Sequence, residues 1–223
     1  MHQDAGFDLA FRLREPVPDA PRSCLLLLHG SHGRETALAG LAAGLDPNAI
    51  VVFPRGPIEL GEGRFTWFNI NVTNERMRIN PREAEAARRT LLQFVQQIQA
   101  AYSIDRCRSI VAGFSQGAAM SASAALTAPE HFAGLGILSG RILAQIEPHL
   151  ASRERLQQLR AFVGHGKLDK VLPVTLARRS DRWLSDLGVA HVAREYSGGH
   201  TIADDMRTDF QSWVEALWGA SAA

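Results

Sequence analysis

This 223-residue sequence has few of the features that mark membrane, metal-binding or disulfide-rich proteins. Its apolar runs are short, and the one over residues 24–28 falls far below the roughly 20 residues that a membrane-spanning helix needs. The two cysteines, Cys24 and Cys107, have no CxxC or Cys/His spacing around them, so we expect two reduced core thiols. The first seven residues lack the pattern of a secretory signal, and we expect a cytoplasmic protein without a membrane span.

Excess charge of either sign is also missing, since 24 Lys and Arg face 23 Asp and Glu, for a net charge of +1. Nucleic-acid-binding proteins usually carry a clustered basic surplus, so we expect no nucleic-acid partner. One group of arginines could bind an anionic head group, but a solvated helix face is the simpler interpretation. These arginines are Arg76, Arg78, Arg82, Arg88 and Arg89.

Short strand-like runs alternate with longer segments along the chain, which is typical of an α/β protein. Residues 25–28 and 50–53 are continuously hydrophobic, as expected for parallel strands buried on both faces. Residues 7–14 alternate between apolar and polar, which predicts a half-exposed, antiparallel edge strand. We predict a single domain over residues 1–223, with a mostly parallel central sheet and helices on both faces. The predicted strands are 7–14, 24–29, 50–54, 109–114, 135–138, 161–163 and 191–196.

Two longer segments differ in their patterns. Residues 81–102 predict a helix, because Pro81 suits a first helical turn and apolar residues recur at helical spacing. Residues 55–80 have no clear periodicity, and loops of that length in compact domains are usually functional or disordered. Because Phe65, Trp67 and Phe68 argue against disorder, we predict an ordered loop that shapes access to a site.

The segment 113–117, Gly-Phe-Ser-Gln-Gly, carries the main chemical signal. It follows a strand-like run and precedes a helical run of small residues, which is the context of a nucleophile elbow. The serine of such an elbow has a strained backbone, and glycines two residues away let strand and helix approach. The pattern predicts Ser115 as the nucleophile of an α/β-hydrolase fold. The alternative is a strand-to-helix turn that merely favours glycine and serine.

A serine hydroxyl needs a base to take its proton and an acid to orient that base. In an α/β-hydrolase fold these partners follow the serine in the order acid, then histidine, each on a loop after a later strand. Asp169 follows the strand-like run over 161–163, and His200 follows the last strand and precedes the final helix. We therefore predict Ser115, Asp169 and His200 as a catalytic triad.

Other histidines and carboxylates are less well placed in the chain. Four histidines either precede the acid candidate or begin a strand at the wrong end of the sheet, and we interpret them as surface, packing or loop-shaping residues. These are His131, His149, His165 and His191. Four carboxylates lie late in a helical segment, inside the last strand or after the base, and we expect them to face solvent or make helix-end contacts. These are Asp186, Glu195, Asp204 and Asp205.

The oxyanion of a tetrahedral intermediate needs two hydrogen-bond donors. One is expected from the backbone N–H of Gln116, and the other from that of Ser31, in the loop that follows an early central strand. A plain strand-exit loop is the alternative for residues 29–33. His29 and His32 in that loop have no third ligand at metal-binding spacing, so we predict no metal.

Taken together, these motifs resemble the bacterial phospholipase/carboxylesterase family, which comprises small α/β-hydrolases related to acyl-protein thioesterases. The resemblance runs nearly end to end and depends on the order and combination of its signposts. These are Leu-His-Gly at 28–30, Phe-Pro-Arg-Gly-Pro at 53–57, Thr-Trp-Phe-Asn at 66–69, the elbow at 113–117, Gly-His-Gly at 164–166 with Asp169 and Pro173, and Gly-His at 199–200.

The resemblance implies the same triad, an oxyanion hole from Ser31 and Gln116, and a substrate groove partly lined by the Trp67 region. Trp67, Phe68 and Leu172 are the candidate substrate-contacting residues, although the two aromatic side chains could equally pin their loop to the core. Many relatives have an apolar residue where this chain has Ser31, so the mouth of the pocket could be more polar or narrower than usual.

We predict a serine carboxylesterase that hydrolyses carboxylic esters, with short to medium acyl chains, through an acyl-enzyme on Ser115 and without a cofactor. An acyl-thioesterase or a lysophospholipase is the alternative within enzymes, because the same acyl-enzyme serves thioesters and lipid esters. A non-catalytic binding protein that keeps the fold is the alternative outside them. The expected partner is a small-molecule ester, and the sequence leaves a homodimer open.

Overall fold

A seven-stranded sheet forms the centre of the computed structural model, which describes residues 6–15, 17–19, 23–73 and 76–220. Within these residues the strand order is β1-β3-β2-β8-β9-β10-β11, and only β1 runs antiparallel to its neighbour. Its strands are β1 (Phe11–Leu13), β2 (Ser23–Leu28), β3 (Ala49–Pro54), β8 (Ser109–Phe114), β9 (Gly134–Leu138), β10 (Arg160–Gly166) and β11 (Ala190–Tyr196). The prediction of a mostly parallel α/β sheet is confirmed.

Helices cover both faces of this sheet. They are α1 (Pro81–Ala101), α2 (Gln116–Thr127), α3 (Arg153–Leu156), α4 (Thr175–Leu187) and α5 (Asp204–Ala220). Helix α1 begins as predicted, with Pro81 in its first turn and the Asn80 side chain accepting the backbone N–H of Arg82 and Glu83. Among the described residues, no helix combines the length and apolar content needed to cross a bilayer.

The core lies in two layers because the central strands are buried on both faces. Along β2, Cys24, Leu26 and Leu28 pack into one layer with apolar residues of α1, α2 and α4. Leu25 and Leu27 point to the opposite layer, which includes the apolar side of α5. Side chains alternate between the faces of a strand, so a continuous hydrophobic run supplies both layers at once.

The edge strand and one cysteine differ from expectation. Strand β1 is antiparallel at the sheet edge as predicted, but it covers only Phe11–Leu13 of the expected residues 7–14. Its partner β3 ends at Pro54, which pairs with Phe11, so residues before Phe11 have no strand to join. Cys24 is buried, and burial raises the pKa of its thiol to about 12, whereas Cys107 is exposed. The expectation of a core thiol was therefore wrong for Cys107.

Residues 55–80 are more regular than the predicted loop. They contain the strands β4 (Ile58–Gly61), β5 (Arg64–Thr66), β6 (Ile70–Thr73) and β7 (Arg76–Ile79), which pair as two antiparallel hairpins. Strands of three or four residues, one pair of which has a shift in register, are too short to show a clear hydrophobic periodicity, so the sequence pattern did not reveal them. Residues 1–5, on which the expectation about a secretory signal partly rested, lie outside the described residues.

The site is positioned by the carboxyl ends of the parallel strands. Strands β8, β10 and β11 run in the same direction, and the loops that follow them leave the sheet at one edge. Ser115, Asp169 and His200 lie on these three loops. The topology therefore gathers residues that are far apart in sequence.

Candidate active site

The turn at Ser115 joins β8 to α2 in a backbone conformation that residues other than glycine rarely adopt. Ser115 has φ 55° and ψ −112°, and a positive φ is uncommon for a residue other than glycine. Its backbone N–H donates to the carbonyl of Leu138 on β9, and its carbonyl accepts the N–H of Ala119 one turn into the helix. The strained turn is thus held from both sides, as backbone strain at functional sites requires.

Both flanking glycines of the turn are required by close backbone contacts. A Cβ on Gly113 would lie 2.3 Å from the carbonyl carbon of Gly117. A Cβ on Gly117 would lie 2.1 Å from the carbonyl oxygen of Leu28, in the neighbouring strand β2. These contacts involve backbone atoms on buried elements, so a side chain at either position cannot be accommodated by a rotamer change.

The structure brings Ser115, His200 and Asp169 into one hydrogen-bonded chain. His200 Nε2 lies 3.0 Å from Ser115 Oγ, and His200 Nδ1 lies 2.7 Å from Asp169 Oδ2. The imidazole of His200 also contacts the ring of Phe114, with 4.8 Å between centroids. With an N–H at Nδ1 donating to the carboxylate, Nε2 presents a lone pair to the serine hydroxyl.

Both carboxylate oxygens of Asp169 accept hydrogen bonds. Its Oδ1 accepts the backbone N–H groups of Val171 and Leu172, each at 2.8 Å, while Oδ2 accepts from His200. Burial alone would raise the pKa of Asp169, but the hydrogen bonds from His200 and from the two backbone groups hold it below its ordinary value. The carboxylate is therefore ionised and rigidly oriented toward the histidine.

The loop after β2, which carries the predicted second oxyanion donor Ser31, lies against the elbow. A Cβ on Gly30 would lie 3.4 Å from Ser115 Cβ, so the 30–31 backbone contacts the elbow. Across the described part of the chain, no protein acceptor takes a hydrogen bond from the backbone N–H of Ser31 or Gln116. The Ser31 hydroxyl is engaged elsewhere, at 2.9 Å from His32 Nδ1 and 3.2 Å from Thr66 Oγ1.

Comparison with known proteins now assigns the chain to a family. The family model described as Phospholipase/Carboxylesterase matches residues 15–217. This chain belongs to the phospholipase/carboxylesterase family. The putative hydrolase MhqD of Bacillus subtilis (strain 168) is 27% identical over 195 residues, which cover 86% of this chain and 92% of that protein. The family predicted from the sequence motifs is confirmed.

Solved structures agree with this assignment. Esterase PE8 has a TM-score of 0.82 at 28% sequence identity, with 94% of this chain and 99% of that chain covered. The acyl-protein thioesterase 2 of Zea mays has a TM-score of 0.79 at 21% identity, with 94% and 99% covered, and shows likeness of fold. The chain is thus an esterase or hydrolase of the phospholipase/carboxylesterase family with the α/β-hydrolase fold.

A cavity of about 240 Å³ opens at the elbow of this phospholipase/carboxylesterase-family protein. Ser115, His200 and Gln116 line it on one side, and Phe68 and Leu172 line it among largely apolar neighbours. The remaining lining residues are Ser31, Ile70, Ile79, Ala119, Arg141, Leu143 and Val171. Two of the three predicted substrate-contacting residues therefore face the cavity.

Trp67, the third of them, does not line this cavity. Its side chain is fully buried in the core, and its Nε1–H donates to the carbonyl of His29 at 2.9 Å. The sequence left open whether Trp67 contacts the substrate or anchors its loop, and in the structure it anchors the loop to the core. Phe68 is also almost fully buried but reaches the cavity wall.

The side chain of Gln116 has a role that sequence reasoning missed. Its Oε1 accepts from the Thr66 hydroxyl at 2.7 Å and from the backbone N–H of Trp67 at 2.9 Å, and its Nε2 donates to the carbonyl of Phe68 at 2.7 Å. One amide group thus ties residues 66–68 to the residue after the nucleophile. The family signpost over 66–69 was visible in the sequence, but its partner was not.

His165 is a second histidine on the proposed catalytic carboxylate. It was interpreted as a loop-shaping residue, yet it lies inside β10 and is fully buried. Its Nε2 lies 2.8 Å from the carbonyl of Leu172 and 3.2 Å from Asp169 Oδ2. An N–H at Nε2 therefore braces the loop that carries the acid. No pattern in the sequence distinguishes this contact, which depends on the path of residues 166–172.

The two histidines of the 29–33 loop have different surroundings. His29 is fully buried, its Nε2 accepts the backbone N–H of Gly56 at 2.9 Å, and its Nδ1 donates to the carbonyl of Gly30 at 2.7 Å. Burial lowers the pKa of His29, which favours this neutral, structural form. Among the described residues, no group of three His, Cys, Asp or Glu side chains is arranged to hold a metal ion.

Proposed function

We propose that this protein is a serine carboxylesterase that hydrolyses carboxylic esters with short to medium acyl chains through an acyl-enzyme on Ser115. The hydrogen-bonded chain from Ser115 through His200 to Asp169 is the observation that carries the proposal. A nucleophile, a base and an orienting acid within hydrogen-bond distance are what acyl transfer to serine requires.

In the first half-reaction the Ser115 oxygen bonds to the ester carbonyl carbon as its proton passes to His200 Nε2. The carbonyl oxygen becomes an oxyanion, and the N–H groups of Ser31 and Gln116 donate to it. When the bond to the alcohol breaks, His200 returns the proton to the leaving oxygen. The products of this step are the free alcohol and an acyl ester on Ser115.

In the second half-reaction a water molecule takes the place of the alcohol. His200 removes a proton from the water, the resulting hydroxide attacks the acyl carbonyl, and the proton returns to Ser115 as the acid product leaves. Asp169 stabilises the imidazolium formed in each half-reaction. The reaction draws on side chains, backbone donors and water, so it needs no cofactor.

The size and lining of the cavity support the acyl range. At about 240 Å³ the cavity holds roughly eight water-sized groups, taking about 30 Å³ for each. Apolar side chains such as Phe68, Leu143 and Leu172 form much of its wall. Because burying each methylene contributes about 0.8 kcal/mol, acyl chains that fill the cavity should be preferred over acetate.

Labelling with a fluorophosphonate probe tests the proposed nucleophile. We expect the wild-type protein to gain one phosphonyl group on Ser115 by intact mass and peptide mapping, with loss of activity on 4-nitrophenyl hexanoate. Ser115→Ala should neither label nor turn over. Ser123→Ala is the matched control, since Ser123 lies two turns further along α2 and bonds to the carbonyl of Ala119.

Two results of this experiment would reject the proposal: a wild-type protein that does not label, or Ser115→Ala that labels as fast as wild type. The same assay run with hexanoyl esters and hexanoyl thioesters measures which leaving group is preferred. We expect the esters to have the higher kcat/KM. A large preference for the thioester would move the assignment to an acyl-thioesterase that uses the same acyl-enzyme.

A further inference from the structure

Arg141 is a positively charged residue in the wall of the active-site cavity. It follows β9 and lines the same cavity as Ser115 and His200. Among the described residues, no carboxylate forms an ion pair with Arg141 and no hydrogen bond joins its guanidinium to the protein. Within the described part of the chain, this half-buried cation in the wall of the serine's cavity therefore has no protein partner.

A second cavity of about 400 Å³ adjoins the first and shares Ile79, Arg141 and Leu143 with it. Arg78 and Arg179 line this second cavity, together with polar groups from Gln145 and Ser180 and the ring of Trp183. No Asp or Glu of the described residues lines either cavity. The space next to the serine is thus bordered by three arginines and, among the described residues, by no carboxylate.

The surroundings of Arg141 make this charge costly for the isolated protein. Burial, together with the nearby charge of Arg179, lowers the pKa of the Arg141 guanidinium, although an arginine remains charged in proteins. Arg179 also borders a depression that is lined by the carboxylates of Glu147 and Asp186, although neither lies within ion-pair distance of it among the described residues. Arg141 is half-buried and Arg179 is exposed, and a bound anion would offset the repulsion between their two positive charges.

The segment that carries Arg141 is held firmly in place. The preceding Ser139 donates its N–H to the carbonyl of Gly164 and its hydroxyl to that of Thr201. A Cβ on Gly140 would lie 2.9 Å from the carbonyl oxygen of Ser115, so this segment packs directly against the elbow. The backbone N–H of Ile142 donates to Ser180 on α4. Arg141 is therefore presented to the cavity by a rigid backbone.

We propose that Arg141 and Arg179 bind an oxyanion group of the substrate, so that the preferred esters carry a negative charge away from the bond that is cleaved. A guanidinium is suited to this because its planar fork binds the oxygens of a carboxylate or phosphoryl group in pairs. This inference rests on the proposed esterase function and names its substrate class. A guanidinium recognises carboxylate and phosphoryl groups by the same chemistry, and the experiments below distinguish between these two groups.

Matched substrate pairs measure the preference. Mono-4-nitrophenyl adipate and 4-nitrophenyl hexanoate share a leaving group and an acyl length and differ in a terminal carboxylate. On the alcohol side, 4-carboxyphenyl acetate and 4-phosphonophenyl acetate are compared with 4-carbamoylphenyl acetate. We expect kcat/KM of the wild type to be higher for the anionic member of at least one pair, by on the order of 10- to 100-fold.

Substitution of the arginines tests where the preference originates. Arg141→Gln should lower kcat/KM more for the anionic ester than for the neutral ester, and so bring the ratio of the two kcat/KM values close to one. Arg179→Gln should lower the ratio partially. Arg178→Gln is the matched control on α4, because Arg178 faces outward to Glu195 and should leave the ratio unchanged.

A second measurement does not depend on any variant. Adipate and phenylphosphonate should inhibit hydrolysis of the neutral ester by the wild type competitively, and more weakly at high salt, since salt screens the attraction. The stronger inhibitor identifies the preferred oxyanion source. Equal kcat/KM within every pair, or a ratio that Arg141→Gln does not change, would overturn the anion site. Failure of the wild type to hydrolyse either member of every pair, or to label at Ser115, would instead overturn the esterase proposal.

Discussion

Replacing Asp169 by asparagine changes one atom of the proposed triad and should disable it. In the native site Oδ1 accepts two backbone N–H groups at 2.8 Å, and Oδ2 accepts His200 Nδ1–H at 2.7 Å. Asparagine offers one oxygen and one NH₂ group. Because Val171 and Leu172 present two donors, the amide oxygen should take the Oδ1 position and the NH₂ group should face His200.

This orientation reverses the histidine tautomer. An NH₂ group facing Nδ1 favours the lone pair there, which moves the ring proton to Nε2, the atom that faces Ser115. Turning the amide round would place NH₂ against two N–H donors and leave both unsatisfied, at about 1–3 kcal/mol each. The wrong tautomer of His200 therefore dominates, and Nε2 cannot accept the serine proton.

The expected loss is large. Reversing the tautomer in a serine-protease triad lowers kcat by about 10⁴-fold, and we expect on the order of 10³- to 10⁴-fold here. At about 1.36 kcal/mol for each factor of ten, this is roughly 4–5.5 kcal/mol of activation free energy. KM should change little, since Asp169 is not among the residues that line the active-site cavity.

Initial rates on 4-nitrophenyl hexanoate measure the effect, with thermal unfolding to show that the variant is folded. Glu195→Gln is the matched control, since Glu195 is half-exposed on β11 and pairs with Arg178 at 2.6 Å. It should retain activity within about twofold of wild type. If Asp169→Asn lost less than about tenfold in kcat while folded, or Glu195→Gln lost as much, the assignment of the acid would be wrong.

Two further predictions concern stability. Gly117→Ala should reduce the free energy of unfolding in urea by at least about 3 kcal/mol, or prevent folding, because its Cβ would overlap the carbonyl of Leu28. Gly219, in α5, has open space around it, so Gly219→Ala should be neutral or slightly stabilising. Equal effects at both glycines would contradict this. Burial opposes ionisation of Glu35, but hydrogen bonds from Arg55 and Arg12 lower its pKa from 4.5 to about 2. The ionised Glu35 therefore stabilises the folded protein above pH 4.5, and this stabilisation is lost as the pH falls toward 2. Glu35→Gln should cost up to roughly 3 kcal/mol at pH 7 and little near pH 2, as measured by urea unfolding across pH; a cost independent of pH would refute this origin.

Local patterns predicted the parts of the fold that depend on local chemistry. Helix α1 begins at Pro81 and carries its apolar residues on one face, as its spacing indicated. The hairpins within 55–80 were missed, because their strands are only three or four residues long and their pairing depends on contacts across the turn. The exposure of Cys107 was missed for a similar reason, since a position beside a strand does not determine which way a side chain points.

Ser115 illustrates what the sequence by itself determined. A strained turn between strand and helix requires glycine two residues to either side, so five adjacent residues are enough to recognise the elbow. The order of acid and base along the chain then followed from the fold that the elbow implies. The tertiary structure alone decided that Gln116 ties down residues 66–68, that His165 braces the acid loop and that no carboxylate of the described residues lines the cavity beside Arg141. These contacts join residues far apart in the chain, and their partners are chosen by the packing of loops at the sheet edge, which has no local pattern.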